Sequence, residues 1–431
     1  MNMKKAEESI PDVKNQRNLL LANYGMVLLA GLNTGWIGPL IPTIARQHHM
    51  PVTELGSLLS VQFFGCLVTM SMGKKIVDLL GIKASLIAAS IVTLLGFLLF
   101  GLGGGQEFLW LGSLLIGAGT GINSVTGTLV VLRLVKENSA TALNKVHLFF
   151  GLGALLGPGI AWLSHISPFS YRAAFIFGAL VSLGLTLIAT RASELAKAIP
   201  EKEPPPSKET LKKPLLWIYS LVLFFYVGIE SGATAWLFVF LRKASLLPHE
   251  QASLGMSALW LGLTLSRFYS GRLCRMYSPA MVATSGMILS LITLAILSLN
   301  PQLSMFTLVV VAILGCGYGP VFPTVLAMVN SRFYHSMALV TTVAVTTGFL
   351  GGMIYPYAVG KIFEGEGLKT GMGFLAGGSL LMILLFLVTL RKGMDNDDQA
   401  HQPADNSSRT AKDFPEEELN ISPVTSPGEQ S

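Results

Sequence analysis

Residues 214–241 read PLLWIYSLVLFFYVGIESGATAWLFVFL, a run in which Glu230 is the only charge. A helix needs about 20 consecutive, largely apolar residues to cross a bilayer core, so this window is one crossing, bounded by Lys213 before it and Arg242 after it. The same test finds charge-free windows at 18–45, 55–73, 84–106, 108–132, 146–171 and 173–190 upstream, and at 251–266, 276–331, 333–360 and 370–390 downstream. The window 276–331 has room for two crossings and is interrupted at Asn300, Pro301 and Gln302. The sequence therefore predicts an all-α membrane protein of twelve transmembrane helices, six on each side of a polar linker. Composition agrees: 51% of residues are hydrophobic and 13% charged, roughly half the charge of a soluble chain.

Lys and Arg set the orientation, because positive loops are retained on the cytoplasmic side. With the N-terminus inside, cytoplasmic segments hold 24 of the 30 basic residues and the other side holds six, Arg46, Arg172, Arg242, Lys243, Lys361 and Lys369. Both termini are thus expected in the cytoplasm, with the chain in the cell (inner) membrane. The net charge of +6 reads as this topology signal, and nucleic acid is not an expected partner. The expected layout is a cytoplasmic N-terminus 1–17, a six-helix half 18–191, a linker 192–213 containing Pro204, Pro205 and Pro206, a second half 214–391, and a disordered cytoplasmic tail 392–431. Met1 to Arg17 has no small-residue cleavage site, so helix 1 is expected to direct insertion.

The halves repeat. Gly31, Asn33 and Gly35 match Gly228, Glu230 and Gly232 at an offset of 197 residues, Gly65 matches Gly262 and Gly151 matches Gly348 at the same offset, and Gly117, Gly119 and Gly121 match Gly315, Gly317 and Gly319 at 198. Two parallel repeats of this kind place a solute site between them near the midplane.

No phosphate-binding loop, His-Glu-x-x-His or Cys-x-x-Cys motif is present, and Cys66, Cys274 and Cys316 have neither disulfide nor zinc spacing. Neither an enzyme nor a cofactor or metal is expected. Glu230 is the informative residue: an ionised carboxylate at mid-membrane costs at least ~2.5 kcal/mol, and such residues usually face a cavity. It reads as a site for a coupling proton or as a structural hydrogen-bond anchor. Asn33, Asn123 and, more weakly, Gln62 have amides able to bond a hydroxylated solute or a neighbouring helix. His147 suits solute binding, proton relay or a local backbone bond. Trp36 and Trp236 offer flat faces for a sugar or serve as interface anchors. Asp78, Gly81 and Lys83 after helix 2, with Arg267 and Arg272 after helix 8, read as a gating charge cluster or as plain positive loops.

These residues resemble the major facilitator superfamily. Asp78, Gly81 and Lys83 are similar to the end of its loop signature between helices 2 and 3, and Gly153-x-x-x-Gly157-Pro158 is similar to its helix 5 motif. Three further segments resemble the fucose permease branch of sugar–proton symporters: His147 with Phe149-Phe150-Gly151, Tyr226-Val227-Gly228-x-Glu230 with Trp236, and Gly319-Pro320-x-Phe322-Pro323. The resemblance spans residues 18 to 391. It implies the major facilitator fold and ion-coupled sugar uptake, with acidic residues in the first half of proton-coupled members. Here Asn33 and Asn123 stand on those helices, which leaves the coupling proton to Glu230. The expectation is a monomeric alternating-access carrier in a lipid bilayer, moving a small hydroxylated solute, a monosaccharide first. The alternatives are a drug or metabolite exporter and a non-transporting sensor or assembly partner.

Overall fold

The structure is a computed structural model that describes residues 13–134, 139–193 and 208–400. The expected N-terminal segment before residue 13, most of the linker and the tail beyond 400 lie outside the described residues. The helix bundle lies within the compact unit that ends at Leu390.

All regular structure among the described residues is helical. In chain order it comprises α1 (Val13–Gln47), α2 (Gly56–Ser71), α3 (Gly73–Leu80), α4 (Ile82–Leu102), α5 (Gln106–Leu134), α6 (Ser139–Ile166) and α7 (Arg172–Thr190). It continues with α8 (Pro214–Lys243), α9 (His249–Met276), α10 (Pro279–Leu299), α11 (Phe306–Tyr318), α12 (Val321–Arg332), α13 (Met337–Gly365) and α14 (Leu368–Ala400). Short 3₁₀ turns lie at Val52–Leu55, Lys208–Lys212 and Tyr334–Ser336.

Ten spans among the described residues are long and apolar enough to cross a membrane, with α11 and α12 counted as one, and an eleventh is the bent pair α2 and α3, which meet at 56°. Twelve were expected. The expected crossing without such a span lies on α9, whose charge-free stretch is confined to residues 251–266 and which then runs on through Arg267, Arg272 and Arg275 to Met276. An arginine can stay on a membrane helix when neighbouring groups take its donors, and Arg267 has such neighbours.

Helices α1 to α7 pack mainly on one another, α1 against α6 and α7 and α5 against α2 and α4, and α8 to α13 do the same, α8 against α13 and α11 against α9 and α10. The two sets meet through α6 on α9, α2 on α13 and α1 on α8. Helix pairs without side chains between them approach to backbone contact, which only glycine permits. A Cβ on Gly65 would fall on the Leu114 carbonyl and one on Gly262 on the Ala312 carbonyl. Gly117 and Gly315 stand in the same way against the carbonyls of Gln62 and Leu259. The glycines and the carbonyls they meet recur at 197 or 198 residues, so the sequence repeat is also a packing repeat.

One face of the bundle, the first face, carries the turns after α1, α4, α6, α8, α10 and α13. There Gln106 donates to the His48 carbonyl at 3.1 Å and His48 Nε2 lies 2.6 Å from the Tyr171 hydroxyl. On this side the sets are closed against each other. Ser60 donates to the Met353 carbonyl at 2.5 Å, Ser257 donates to the Leu155 carbonyl at 3.1 Å, and a Cβ on Gly38 would lie 2.7 Å from the Thr234 carbonyl. At the opposite face, Leu79 is 80% exposed and Phe268 67% exposed.

Candidate functional site

Two polar clusters lie at mid-depth, one in each set. On α1, Gly31 and Gly35 face α6 so closely that a Cβ on either would meet the carbonyls of Phe150 and Ala154. Asn33, about 200° around the helix from Gly31 at 100° per residue, points the other way, into a pocket shared with Met26, Thr93, Phe97, Thr120 and Asn123. Asn33 Nδ2 donates to Gln62 Oε1 at 3.2 Å. Asn33 Oδ1 and Asn123 Oδ1 are buried with no hydrogen-bond partner in the structure. Each such acceptor costs roughly 1–3 kcal/mol, which a donor from a bound molecule would recover. The volume, about 10 Å³, holds about one water, so a solute enters this pocket only after the helices part.

The second cluster surrounds Glu230 on α8. Tyr226 lies one turn earlier on the same face, and its buried hydroxyl donates to the Tyr318 carbonyl at 3.0 Å. Arg267 of α9 donates through Nη2 to that hydroxyl at 3.3 Å and through Nε to the Gly319 carbonyl at 3.2 Å. The Gly319 carbonyl is available because its helical partner four residues on is Pro323, which has no N–H. Glu230 follows Tyr226 by one turn on the same face of α8, and its carboxyl lies in the field of Arg267. Arg267 is thus turned into the second set, bonded to Tyr226 and Gly319, whereas Arg272 is exposed.

The other expected site residues are dispersed. His147 is exposed on α6 and also lies in the field of Arg267. Trp36 is fully buried, edge-on to Phe97 and Phe175 with centroids 5.9 Å from each. Trp236 is fully buried and donates from Nε1 to the Pro356 carbonyl at 2.6 Å. Neither ring has a face free for a solute, and both are packing residues in this conformation. Asp78 and Arg272 are exposed, and Asp78 makes no ion pair with Lys83, Arg267 or Arg272 among the described residues. Gly81 ends α3 at φ +83°, a conformation that favours glycine. Lys83 begins the next helix.

Sequence reasoning missed Tyr226 and Tyr318 as members of the Glu230 cluster. Tyr226 had a signal, the i, i−4 spacing that puts it beside Glu230 on one helix face. Tyr318 contributes only a backbone carbonyl, which no side-chain pattern announces.

The chain is 23% identical over 404 residues to Bypass of stop codon protein 6 of Saccharomyces cerevisiae, covering 84% of this chain and 80% of that protein. It is also 23% identical over 401 residues to Multidrug resistance protein 2 of Bacillus subtilis, covering 89% and 98% respectively. Among solved structures, the nucleoside transporter NupG superposes with a TM-score of 0.71 at 14% identity, covering 86% of this chain and 99% of that one. The E. coli fucose:proton symporter FucP superposes at 0.58 and 14% identity, covering 86% and 97%. With the all-helical multi-pass fold in place and a family model described as Major Facilitator Superfamily matching residues 24–356, the chain belongs to that superfamily of membrane transporters.

Proposed function

We propose that this transporter is a proton-coupled carrier of a small hydroxylated solute, a monosaccharide first, working by alternating access between two six-helix halves, 18–191 and 214–391. In this reading α2 with α3, and α11 with α12, are single crossings, and residues 251–266 of α9 supply the twelfth. Both termini are cytoplasmic and the monomer is the working unit, in the cell (inner) membrane. The first face is then non-cytoplasmic, and the closure seen there corresponds to an inward-facing state.

The observation that carries the reading is the contrast between repeat-related positions: Asn33 in an amide pocket and Glu230 among Tyr226, Arg267 and Tyr318. Amide oxygens without partners accept hydrogen bonds from hydroxyl groups, which supports a polyol-like solute. At Glu230 the donor count supports a proton site. Tyr226 has a single proton, given to the Tyr318 carbonyl, and it already accepts from Arg267. A protonated Glu230 can donate to its remaining lone pair, whereas an ionised one bonds Tyr226 only if that hydroxyl turns away from Tyr318. Protonation therefore discriminates between two arrangements of α8, α9 and α11, and such a difference lets a ligand shift a conformational equilibrium. His147 of the first half is exposed and lies in the field of the same Arg267.

The test is uptake of labelled monosaccharides into proteoliposomes with and without an inward proton gradient, for the wild type and Glu230→Gln. The expected result is gradient-driven accumulation by the wild type, and in the variant surviving solute exchange without accumulation. Unchanged accumulation in Glu230→Gln contradicts the proton role, and no uptake of any sugar contradicts the solute. The second reading, an exporter of lipophilic compounds, is favoured by the full-length similarity to Multidrug resistance protein 2 and predicts efflux with indifference to sugars.

A further inference from the structure

We propose that His165 and His249 form a second proton-binding site, separate from Glu230, whose protonation releases the closed first face. His165 stands at the end of α6 and His249 at the start of α9, so the pair joins the two helix sets. The rings stack with centroids 4.1 Å apart and planes 9° from parallel. Phe238 of α8 meets His249 edge-on at 5.1 Å. Neutral imidazoles stack favourably at this distance, whereas two imidazolium ions would repel each other with little water between them.

The charges around the pair make the closed state proton-averse. Arg242 of α8 and His165 of α6 both oppose a positive His249, and Glu250 of α9 is the acid that favours it. Arg242 is held in place by donating from Nη1 to the Leu247 carbonyl at 2.6 Å. His249 Nδ1 is buried with no hydrogen-bond partner in the structure, so a proton placed there gains a partner only when water enters between α6 and α9. His165 is exposed and provides the route by which the aqueous phase of this face reaches the pair.

The direction of the response follows from linkage. Burial first, then His165 and Arg242, push His249 down to about 4 in the closed face, whereas a solvated imidazole has a value near 6.5. The open face therefore binds the proton more tightly, and acid favours opening. Above pH 6.5 the site contributes nothing. Between 6.5 and about 4 each unit of acidification shifts the closed-to-open ratio by up to about tenfold, so a step from pH 7.5 to 5.5 is worth about tenfold.

The experiment uses the full chain in lipid nanodiscs, in a cysteine-free background labelled at Phe169→Cys and Lys243→Cys, with the distance distribution across the first face recorded from pH 7.5 to 5.5 without solute. The expected result is growth of a long-distance population by about tenfold relative to the short one, retained in Glu230→Gln. His249→Phe keeps the ring but not the charge, and is expected to hold the short distance at every pH, with His165→Phe weakening the response. A wild type with no pH response, a response that survives in His249→Phe, or one lost in Glu230→Gln overturns the proposal. Because Glu230→Gln is scored separately, failure here leaves the Glu230 reading standing, and the reverse also holds.

Discussion

Asn33 and Glu230 occupy repeat-equivalent positions, flanked by Gly31 and Gly35 in one set and Gly228 and Gly232 in the other, yet their surroundings differ in kind. The first lies in a small pocket of amides, threonines and aromatic carbon. The second lies beside a hydroxyl, a guanidinium and the carbonyls of Tyr318 and Gly319 that they bond. The contacts of Gly65 and Gly117 recur at Gly262 and Gly315 while the polar chemistry around Asn33 and Glu230 has diverged, which fits a division of labour in which neutral groups hold solute and the ionisable group holds the proton.

The sharpest way to break the packing half of this comparison is to give both sets the same injury. Gly117→Leu and Gly315→Leu each drive a side chain onto the facing helix's carbonyl. Overpacking of this kind costs at least about 1–3 kcal/mol, so both are expected to lose most folded protein, by similar amounts, in a fluorescence size-exclusion assay. A tolerated change in one set alone would mean that the two sets do not depend on the same packing. Next in size is Arg267→Ala, which removes donors from the Gly319 carbonyl and the Tyr226 hydroxyl and exposes the second cluster to roughly 1–3 kcal/mol of unsatisfied polar cost. Its thermal midpoint is expected to fall clearly, and that of Arg272→Ala, an exposed neighbour, to stay unchanged.

Asn123→Leu probes the chemical half. Losing a hydrogen bond worth about 0.5–1.5 kcal/mol is expected to raise the KM for solute exchange roughly three- to tenfold with the pH profile unmoved, and a shifted pH profile would put proton chemistry in the first set as well. A smaller effect is expected at His48, outside the spans, which burial and Arg172 hold below the ordinary histidine value. Its neutral form suits the bond to Tyr171, so it contributes stability above pH 6.5 that is lost as pH falls below that value. His48→Gln is expected to flatten this decline in thermal midpoints between pH 7.5 and 5. The exposed Lys361–Glu364 pair, 3.1 Å apart, is expected to contribute nothing measurable.

Ten of the expected crossings, and an eleventh as the bent pair α2 and α3, were legible because hydrocarbon excludes charge, so windows without Asp, Glu, Lys or Arg mark them directly. The end of α9 was not, since a sequence window treats Arg267 as a loop charge, and only the fold supplies the Tyr226 hydroxyl and the Gly319 carbonyl that let it remain on the helix. Asn33 and Asn123 were legible as polar groups in apolar helices, and the structure brings them into one pocket. Trp36 and Trp236 illustrate the limit: whether an indole faces a cavity or a core depends on partners such as Phe97, Phe175 and Pro356, which arrive from distant helices. The His165–His249 stack was invisible for the same reason.

The division of labour is tested most directly by adding saturating solute to the purified protein in weakly buffered solution and measuring the protons taken up. Uptake approaching one proton per molecule is expected for the wild type and for Asn123→Leu, and none for Glu230→Gln at solute concentrations where binding is still observed. Proton uptake that persists in Glu230→Gln, or that disappears in Asn123→Leu while solute still binds, would contradict it.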